Sequence, residues 1–335
     1  MGLPRLEPRV SLVAIFYNCA PFVEAGVASF LNQTRPFDEI ILVDDGSTDD
    51  TGSLLAEFSR IDRVTVHSKE NGGPASARNA GVQLATGDYI IFSDGDDILA
   101  PHLAHTLIST LVRTGAEAAF GGQKILTEAA STQPIVWEGD GAITMLTTEE
   151  ATTRLMYDEI SEGPFAKLLR RSFLLEHPCP EGRYYEDVAI AGEWLTNLES
   201  VAAVDREVYG YILHSGSISH RKQSSIAQAR DFQWAIRQML QPVKDTFGSI
   251  DGTAYRLLLE NARLIQLLEK VSGDDQEVKD IRKAILLESR RVLNTVLADR
   301  RVSAIQKIRF AIMCRSPKLY IRLMRAYEKN KKGLA

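Results

Sequence analysis

The sequence predicts an α/β protein in which a mostly parallel sheet is flanked by helices and followed by an α-helical C-terminal region. Two observations support this fold class. Over the first hundred residues, short and nearly continuous apolar runs rich in Val and Ile alternate with helical stretches, which is typical of parallel strands buried on both faces. From Ser225 onward, apolar residues recur at helical spacing and the strand-like runs end.

Each predicted strand in the first hundred residues is followed by a predicted helix. The strands have the sequences VSLVAIF, EIILVDD, VTVHS and YIIFSD, and a further strand-like run, AEAAFGG, follows the last helix. The helices are predicted over residues 21–32, 51–60, 75–85 and 101–113. Ligands bind at the carboxyl ends of the strands in such sheets, so the residues that follow the strands form the candidate site.

Residues 126–222 are less regular and are expected to complete the site. Helices are predicted over residues 148–157 and 188–198, and a strand pair is predicted near VAAVDREVYGYIL. Five further helices are predicted over residues 226–247, 255–271, 277–297, 302–313 and 318–330. We therefore expect an α/β domain over residues 1–222 and an α-helical region over residues 223–335.

Composition places the chain among ordinary globular proteins, because 44% of its 335 residues are hydrophobic and 25% are charged. The first ten residues hold no apolar stretch of signal-peptide length, and no window reaches the roughly 18 apolar residues of a membrane span. A cytoplasmic protein is therefore expected. The three cysteines lie far apart without a Cys-x-x-Cys pair, so neither a disulfide framework nor a cysteine zinc site is indicated.

The charge of the chain is divided unevenly. Residues 300–335 hold 11 Lys or Arg and one acid, a net charge of +10, whereas the rest holds 28 basic and 43 acidic residues, a net charge of −15. An acidic body argues against nucleic acid as a partner. The basic tail is amphipathic at helical spacing, and two interpretations stay open: peripheral contact with an anionic membrane surface, or an outer helix whose basic face lies in water.

Acidic and turn-forming residues stand where two of the strands end. Asp44-Asp45-Gly46-Ser47 follows the second strand, and Asp94-Gly95-Asp96-Asp97 follows the fourth. Carboxylates crowded at one sheet edge repel each other, and a divalent cation removes this repulsion while it bridges to phosphate oxygens. The pattern therefore predicts a metal ion with a diphosphate. The alternative is that these acids cap the helices that follow them.

Between the two acidic clusters, residues 71–81 read NGGPASARNAG. Glycines permit a tight loop there, and Pro74 suits the first position of the following helix. The N-terminus of that helix is a candidate phosphate site, and Arg78 is a candidate ligand of a phosphate or a base carbonyl. An ordinary surface arginine is the alternative.

Four blocks, PRVSLVAIFYN, EIILVDDGSTDDT, NGGPASARNAG and GDYIIFSDGDD, occur in an order and spacing that resembles the family 2 glycosyltransferases of GT-A fold. The resemblance is close over residues 9–101 and loose over residues 102–222. It implies a Rossmann-like GT-A domain and an inverting, nucleotide-sugar-dependent transferase. The implied donor is a UDP-sugar, and the implied acceptor is a hydroxyl of a glycan or lipid-linked glycan in cell-surface polysaccharide biosynthesis.

The resemblance assigns roles to residues that would bind the nucleotide. Tyr17 would stack on the base, and Asp45 or its neighbour Asp44 would read the base edge. Arg78 would contact the nucleotide. Because aromatic stacking tolerates any base, these residues do not identify the nucleotide.

The resemblance also implies a metal site at the Asp-x-Asp (DxD) motif. Asp94 would face the ribose and the metal, and Asp96 would coordinate Mn²⁺ or Mg²⁺, which acts as a Lewis acid for the departing diphosphate. Asp97 would be a helper or a helix cap. Near the block YGYILHSGSIS, His214 would be a third metal ligand or a phosphate donor, with a structural histidine as the alternative. Ile212 stands where the family usually has an arginine, which puts one diphosphate contact in doubt.

The segment YYEDV resembles the Glu-Asp block of the family, in which the aspartate is the general base on the acceptor hydroxyl. This resemblance makes Asp187 the candidate catalytic base. The alternative is an acidic first helical turn that compensates the helix dipole, a role that Glu186 would fill equally well. Lys167, in GPFAKLLRRSF, would touch the diphosphate or the acceptor, or else be a surface lysine.

Two other function classes share features with this sequence. A dinucleotide-dependent oxidoreductase would share the α/β pattern, but residues 17–20 after the first strand replace the expected G-x-G-x-x-G turn. A nucleotide-sugar-binding protein of the same fold with weakened catalysis stays open, because of Ile212. The intact Asp-x-Asp motif and Asp187 argue for an active enzyme.

Overall fold

The computed structural model describes residues 8–128, 133–214, 224–271 and 276–332, with side chains described to residue 327. These residues form two compact units. Described residues up to 151 and from 162 to 214 make up the first unit, and residues 152–161 with those from 224 onward make up the second. The predicted domain boundary at residue 222 lies outside the described ranges and stays a prediction. Within those ranges, no helix combines the length and the apolar composition that crossing a bilayer requires.

One half of the sheet in the first unit consists of parallel strands separated by helices. Its elements are β1 (Val10–Phe16), α1 (Val23–Leu31), β2 (Glu39–Asp44), α2 (Thr51–Ala56), β3 (Val64–Ser68), α3 (Pro74–Leu84) and β4 (Tyr89–Asp94). The strands lie in the order β3-β2-β1-β4 and all pair in parallel. Every residue of β1 is buried, which explains its uninterrupted apolar sequence. The predicted parallel sheet is confirmed in this half.

The other half of the sheet is mixed. Its elements are β5 (Ile98–Leu99), α4 (Leu103–Thr114), β6 (Ala118–Thr127), β7 (Ile143–Thr147), α5 (Thr148–Met156), β8 (Lys167–Arg170), α6 (Arg171–Glu176), α7 (Glu186–Thr196) and β9 (Ser200–Leu213). Strand β8 is antiparallel to β4 and to β6, whereas β9 is parallel to β6 and antiparallel to β5 and β7. The predicted strand pair is wrong: its residues form the single strand β9, whose register against β6 shifts between Phe120 and Gln123.

The central strand β1 connects the two acidic turns at the carboxyl edge of the sheet. The amide of Asp45 donates to the carbonyl of Phe16 at 2.9 Å, and the amide of Gly95 donates to the carbonyl of Ile15 at 2.8 Å. Strand pairing therefore continues past the ends of β2 and β4. As a result, the turns that carry the acids flank the end of β1 on both sides.

The second unit is helical, as predicted. Its helices beyond residue 223 are α8 (Ile226–Phe247), α9 (Thr253–Leu268), α10 (Gln276–Ala298), α11 (Ala304–Arg315) and α12 (Pro317–Lys332). Ser225 and Gln228 form a capping box that starts α8. Arg256 of α9 is fully buried, and its Nη1 donates to Asp158 at 2.9 Å and to the Leu155 carbonyl at 3.2 Å. These bonds fix residues 152–161 within this unit.

Helix α3 approaches β1 at Gly81, and this contact yields a stability prediction. A Cβ at Gly81 would overlap with Cγ1 of Val13. In an open helix Gly→Ala stabilises by about 1 kcal/mol, but here we expect Gly81→Ala to lower the free energy of unfolding by about 1–3 kcal/mol because the site is overpacked. Urea denaturation measures the loss.

The matched control is Val13→Ala, alone and combined with Gly81→Ala. Because Val13→Ala removes the clashing methyl groups, the double variant should lose less stability than the sum of the single changes, with a coupling of about 0.5–3 kcal/mol. Strict additivity would contradict the proposed contact.

Candidate active site

Asp45 organises the glycine loop that precedes α3. Its buried carboxylate accepts hydrogen bonds from the amides of Gly72 at 3.0 Å and Gly73 at 2.8 Å, and from Nζ of Lys69 at 2.8 Å. Gly73 has φ +85°, which favours glycine at this position. The carboxylate after β2 therefore holds the start of α3 next to the sheet edge.

The turns that contain Asp44 and Tyr17 are fastened to each other. Oδ1 of Asp44 accepts from the amide of Ser47 at 3.0 Å. Asn18, at φ 49°, accepts from the amide of Thr48 at 2.7 Å and donates its own amide to Oγ of Ser47 at 3.0 Å. Tyr17 follows β1 directly and is 48% exposed. An exposed aromatic ring thus stands on a fixed turn beside the acidic cluster.

Arg78 joins the two ends of the candidate site. Its buried guanidinium donates from Nη1 to Oε1 of Glu186 at 2.6 Å and from Nη2 to Oδ1 of Asp94 at 2.9 Å. The alternative of a surface arginine is therefore wrong. Charge-assisted bonds of this kind are shorter and stronger than neutral ones, so Arg78 holds the end of β4 against the start of α7.

The Asp-x-Asp motif divides its acids between structure and site. Asp97 is buried and accepts from the hydroxyl of Tyr209 at 2.5 Å and from the amide of Ile212 at 2.8 Å, which ties the motif to β9. Burial, followed by the charge of Asp96, raises the pKa of Asp97 well above its usual value. Gly95 permits the close approach of the motif to the ring of Phe16, with which a Cβ would overlap.

Asp96 and His214 face each other in the structure. Oδ2 of Asp96 lies 2.8 Å from Nε2 of His214, and the imidazole packs on the ring of Phe22 with centroids 4.4 Å apart. Burial, followed by the charge of Asp94, raises the pKa of Asp96. The later part of the His214 block, residues 215–219, lies outside the described residues.

The donor atoms of Asp94, Asp96 and His214 fit a divalent cation. Carboxylate oxygens suit Mn²⁺ and Mg²⁺, and imidazole nitrogen is a common metal ligand. Burial first, and the charge of Asp94 second, raise the pKa of Asp96, and a bound cation would favour the charged carboxylate against both effects. Among the described residues, no group of three or more acidic, His or Cys side chains is placed so that it could hold a metal ion. The chemistry of the donor atoms suits a divalent cation, but a cation bound there would need further ligands, such as the phosphate oxygens of a donor.

The adjacent acids Glu186 and Asp187 at the start of α7 have different surroundings. Glu186 is buried and pairs with Arg78, whereas Asp187 is half-buried and its Oδ1 accepts from the amide of Val188 at 2.8 Å. Burial, followed by the charges of Glu186 and Glu162, raises the pKa of Asp187 to about 7. A carboxyl group with this pKa is suited to general base catalysis near neutral pH.

Lys167 is a buried residue of β8 and not a surface lysine. Its Nζ donates to the carbonyl of Gly163 and lies 5.3 Å from the ring centre of Phe120. Burial lowers the pKa of Lys167 to about 8, and the charges of Glu162 and Asp187 oppose this shift. Lys167 therefore belongs to the electrostatic surroundings of Asp187.

Three contributors to the site are not indicated by the sequence. The sequence suggests only compensation of a helix dipole for Glu186, but this residue is the buried partner of Arg78. Tyr209 links Asp97 to Asp94, since its hydroxyl also lies 3.1 Å from the amide of Asp94. Ile212 is buried and contributes its backbone amide to Asp97. The apolar pattern of β9 indicates only that Tyr209 is buried. No local sequence pattern predicts the contact between residues 78 and 186.

The Arg78 ion pairs yield a second stability prediction. Arg78→Ala leaves the buried Glu186 carboxylate without its partner, so we expect a loss of about 3–5 kcal/mol in the free energy of unfolding by denaturant titration. Adding Glu186→Gln should restore part of this loss, because the unpaired buried charge disappears. A loss below about 1 kcal/mol for Arg78→Ala, as for an exposed ion pair, would contradict this assignment.

Comparisons with known proteins show which proteins this chain resembles. The family model described as glycosyl transferase family 2 matches residues 11–176. The glycosyltransferase GlyG of Streptococcus pneumoniae is 30% identical over 289 residues, which cover 81% of this chain and 93% of that protein. An uncharacterized glycosyltransferase of Haemophilus influenzae is 29% identical over 247 residues, covering 64% of this chain and 99% of that protein.

Solved structures agree at the level of the fold. The crystal structure of S. aureus TarS 1-349 in complex with UDP-GlcNAc matches with a TM-score of 0.65 and 15% identity, over 96% of this chain and 92% of that chain. The predicted GT-A fold with a helical C-terminal region is therefore confirmed. The sequence matches and the fold together show that this chain belongs to glycosyltransferase family 2.

Proposed function

We propose that this glycosyltransferase moves a sugar from a nucleoside-diphosphate sugar to an acceptor hydroxyl with inversion at the anomeric carbon. The observation that carries the proposal is the chain of ion pairs Asp94–Arg78–Glu186, which holds the Asp-x-Asp motif beside the segment that contains Asp187. The residues that bind the donor and the residue that acts as the base would therefore be held at a fixed distance from each other. A role in cell-surface polysaccharide biosynthesis, with a glycan or lipid-linked glycan as acceptor, fits the relatives.

A UDP-sugar is the proposed donor. The structure of S. aureus TarS with UDP-GlcNAc supports this choice by analogy of fold. In the proposal, Tyr17 stacks on the base. Asp45 uses three of about four carboxylate acceptor positions for the glycine loop and Lys69, so one position is left for a base N–H. Asp44 shapes the turn that carries Asp45, rather than reading the base itself.

The diphosphate is proposed to lie between Arg78, Lys167 and a cation held by Asp94, Asp96 and His214. When bound, Mn²⁺ or Mg²⁺ would supply Lewis-acid stabilisation of the departing diphosphate. The guanidinium of Arg78 would orient Asp94 toward the donor. These residues thus act by holding the leaving group in place.

Asp187 is the proposed general base. Its carboxylate would accept the proton of the acceptor hydroxyl while the acceptor oxygen forms a bond to the anomeric carbon. The bond from that carbon to the diphosphate oxygen breaks on the opposite side, and the diphosphate leaves with the bonding electron pair. Because bond formation and bond breaking occur on opposite faces of the sugar, the anomeric configuration inverts.

A nucleotide-sugar-binding protein with weakened catalysis is the second candidate. The observation in its favour is Ile212, a buried apolar side chain where the family usually has arginine. Donor binding by the natural chain with neither transfer nor hydrolysis of the sugar would support this candidate.

The proposed location of the transferase is the cytoplasm at the inner face of the membrane, with peripheral contact through residues 300–335.

Replacement of the base tests the mechanism directly. Asp187→Asn keeps the shape of the side chain but cannot accept the proton, so we expect kcat to fall by about 100- to 10,000-fold. The affinity for the donor should change little, because the ion pairs of Arg78 persist. Steady-state kinetics and calorimetry measure the two effects, and the exposed Asp62→Asn variant is the matched control.

The pH dependence tests the same assignment independently. Since only the deprotonated carboxylate of Asp187 accepts a proton, kcat/KM of the natural chain should rise with pH and level off above about 7. Below that pH it should fall tenfold per pH unit. The residual activity of Asp187→Asn should lack this limb. Retention of the limb, or near-normal turnover in the variant, would assign the base to another residue.

Removal of a metal ligand tests the cation. We expect Asp96→Ala to abolish the increase in UDP affinity that Mn²⁺ produces in the natural chain, because one carboxylate ligand is lost. Titration calorimetry with and without Mn²⁺ measures this increase, and Asp62→Ala is the control. An unchanged dependence of UDP affinity on Mn²⁺ in Asp96→Ala would rule out this metal site.

A further inference from the structure

Helices α11 and α12 present large apolar side chains to solvent. Ile305 and Ile308 are 79% and 60% exposed and lie one turn apart on α11. Leu319, Leu323 and Tyr327 are also exposed and follow each other at intervals of four residues on α12, so they share one helix face. Burying these side chains in water-free surroundings would be favourable, and the fold of the described unit does not bury them.

Basic side chains are interleaved with these apolar ones. Arg315, Lys318 and Arg322 are exposed, and residues 300–335 contain a single acid, Glu328. An ordinary solvated helix would mix both signs of charge. The combination of one sign of charge with exposed Ile, Leu and Tyr instead matches helices that lie in the interface of an anionic membrane.

Helix α10 carries a second basic and apolar feature. A surface cavity of about 350 Å³ is lined by Leu286 and Leu287 together with four basic side chains. Those basic residues are Lys279, Arg282, Lys283 and Arg290. The lining of the cavity is mainly apolar, so the basic residues contribute their alkyl stems to it and carry their charged groups around it.

The α10 cavity is continuous with the tail helices. Nε of Arg290, which lines the cavity, donates to the carbonyl of Cys314 near the end of α11 at 2.9 Å. Arg282 of the cavity and Arg325 of α12 both bind Glu269, at 2.6 Å and 3.0 Å. These contacts join the wall of the α10 cavity to α11 and α12, and the cavity together with the exposed residues of both helices is called the basic face below.

We propose that this basic face docks on a bilayer that contains anionic lipids. Phosphate groups of the lipids would bind the Lys and Arg side chains of the α10 cavity and of α12, and the exposed Ile, Leu and Tyr side chains would insert among the acyl chains. Charge complementarity selects the occupant: a soluble polyanion would use the basic residues but would leave the apolar ones in water. Docking would place the proposed transfer reaction at the membrane surface, whichever nucleotide sugar is the donor.

Cosedimentation with vesicles tests the docking face. The full chain should bind vesicles of equal parts phosphatidylglycerol and phosphatidylcholine, should be released by high salt, and should not bind pure phosphatidylcholine. Each basic residue near an anionic surface contributes about five-fold to partitioning, so Lys283→Glu/Lys318→Glu/Arg322→Glu should weaken binding by on the order of 100-fold or more. Ile305→Ser/Ile308→Ser should weaken binding also at low salt, because it removes the inserted groups.

The control variants carry substitutions of the same two kinds, apolar to Ser and basic to Glu, at exposed residues of the first unit. Val112 is 57% exposed and Arg113 is exposed at the end of α4, so Val112→Ser and Arg113→Glu should leave vesicle binding unchanged. The proposal is overturned if the natural chain does not bind anionic vesicles, or if the α10–α12 variants bind as well as the controls. Equal binding to heparin, insensitive to Ile305→Ser/Ile308→Ser, would assign the face to a soluble polyanion. UDP affinity, measured on every variant, separates a failure of docking from a failure of the proposed transferase.

Discussion

The candidate site depends on one buried guanidinium. Arg78 is almost inaccessible to solvent, and two carboxylates from separate elements supply its hydrogen bonds, one at the end of β4 and one at the start of α7. A buried charge is tolerated only when it is paired and hydrogen-bonded. The positions of Asp94 and Glu186 are therefore coupled: neither can move away without leaving Arg78 unpaired. Asp187 follows Glu186 directly, so this coupling also fixes Asp187 relative to the Asp-x-Asp motif.

The acidic residues at the carboxyl edge of the sheet have two kinds of role. Asp45 and Asp97 accept hydrogen bonds from backbone amides, a lysine and a tyrosine hydroxyl, and in this way they fasten the glycine loop and β9 to the sheet. Asp94 and Asp96 instead accept from an arginine and lie beside a histidine, respectively. The Asp-x-Asp cluster therefore combines one acid with a structural role, Asp97, and two acids that face the candidate site.

The sequence predicted the parallel half of the sheet well because β1 to β4 are buried apolar runs whose identity is local. It could not predict the mixed half. Strand β8 has four residues and owes its place to pairing with β4 and β6, which are distant in sequence. The sequence predicts two strands in place of β9, because the polar residues Asp205 and Arg206 interrupt the apolar pattern. In the structure these two residues are exposed on one continuous strand. The partnership of residues 78 and 186 is equally non-local, since 108 positions separate them.

The charges around the strand ends argue for a cation in the proposed reaction. The positive charge of Arg78 is shared by Asp94 and Glu186, and that of Lys69 faces Asp45. Burial lowers the pKa of Lys167 to about 8, so this lysine still carries most of its charge near pH 7, and it lies near the acids Glu162 and Asp187. The family arginine that would add a positive charge is replaced by Ile212. A diphosphate would therefore enter surroundings whose described acids already match or outnumber their basic partners, and it would be repelled. A divalent ion at Asp94, Asp96 and His214 would reverse this sign, and without the arginine the proposed transferase would depend more strongly on such an ion.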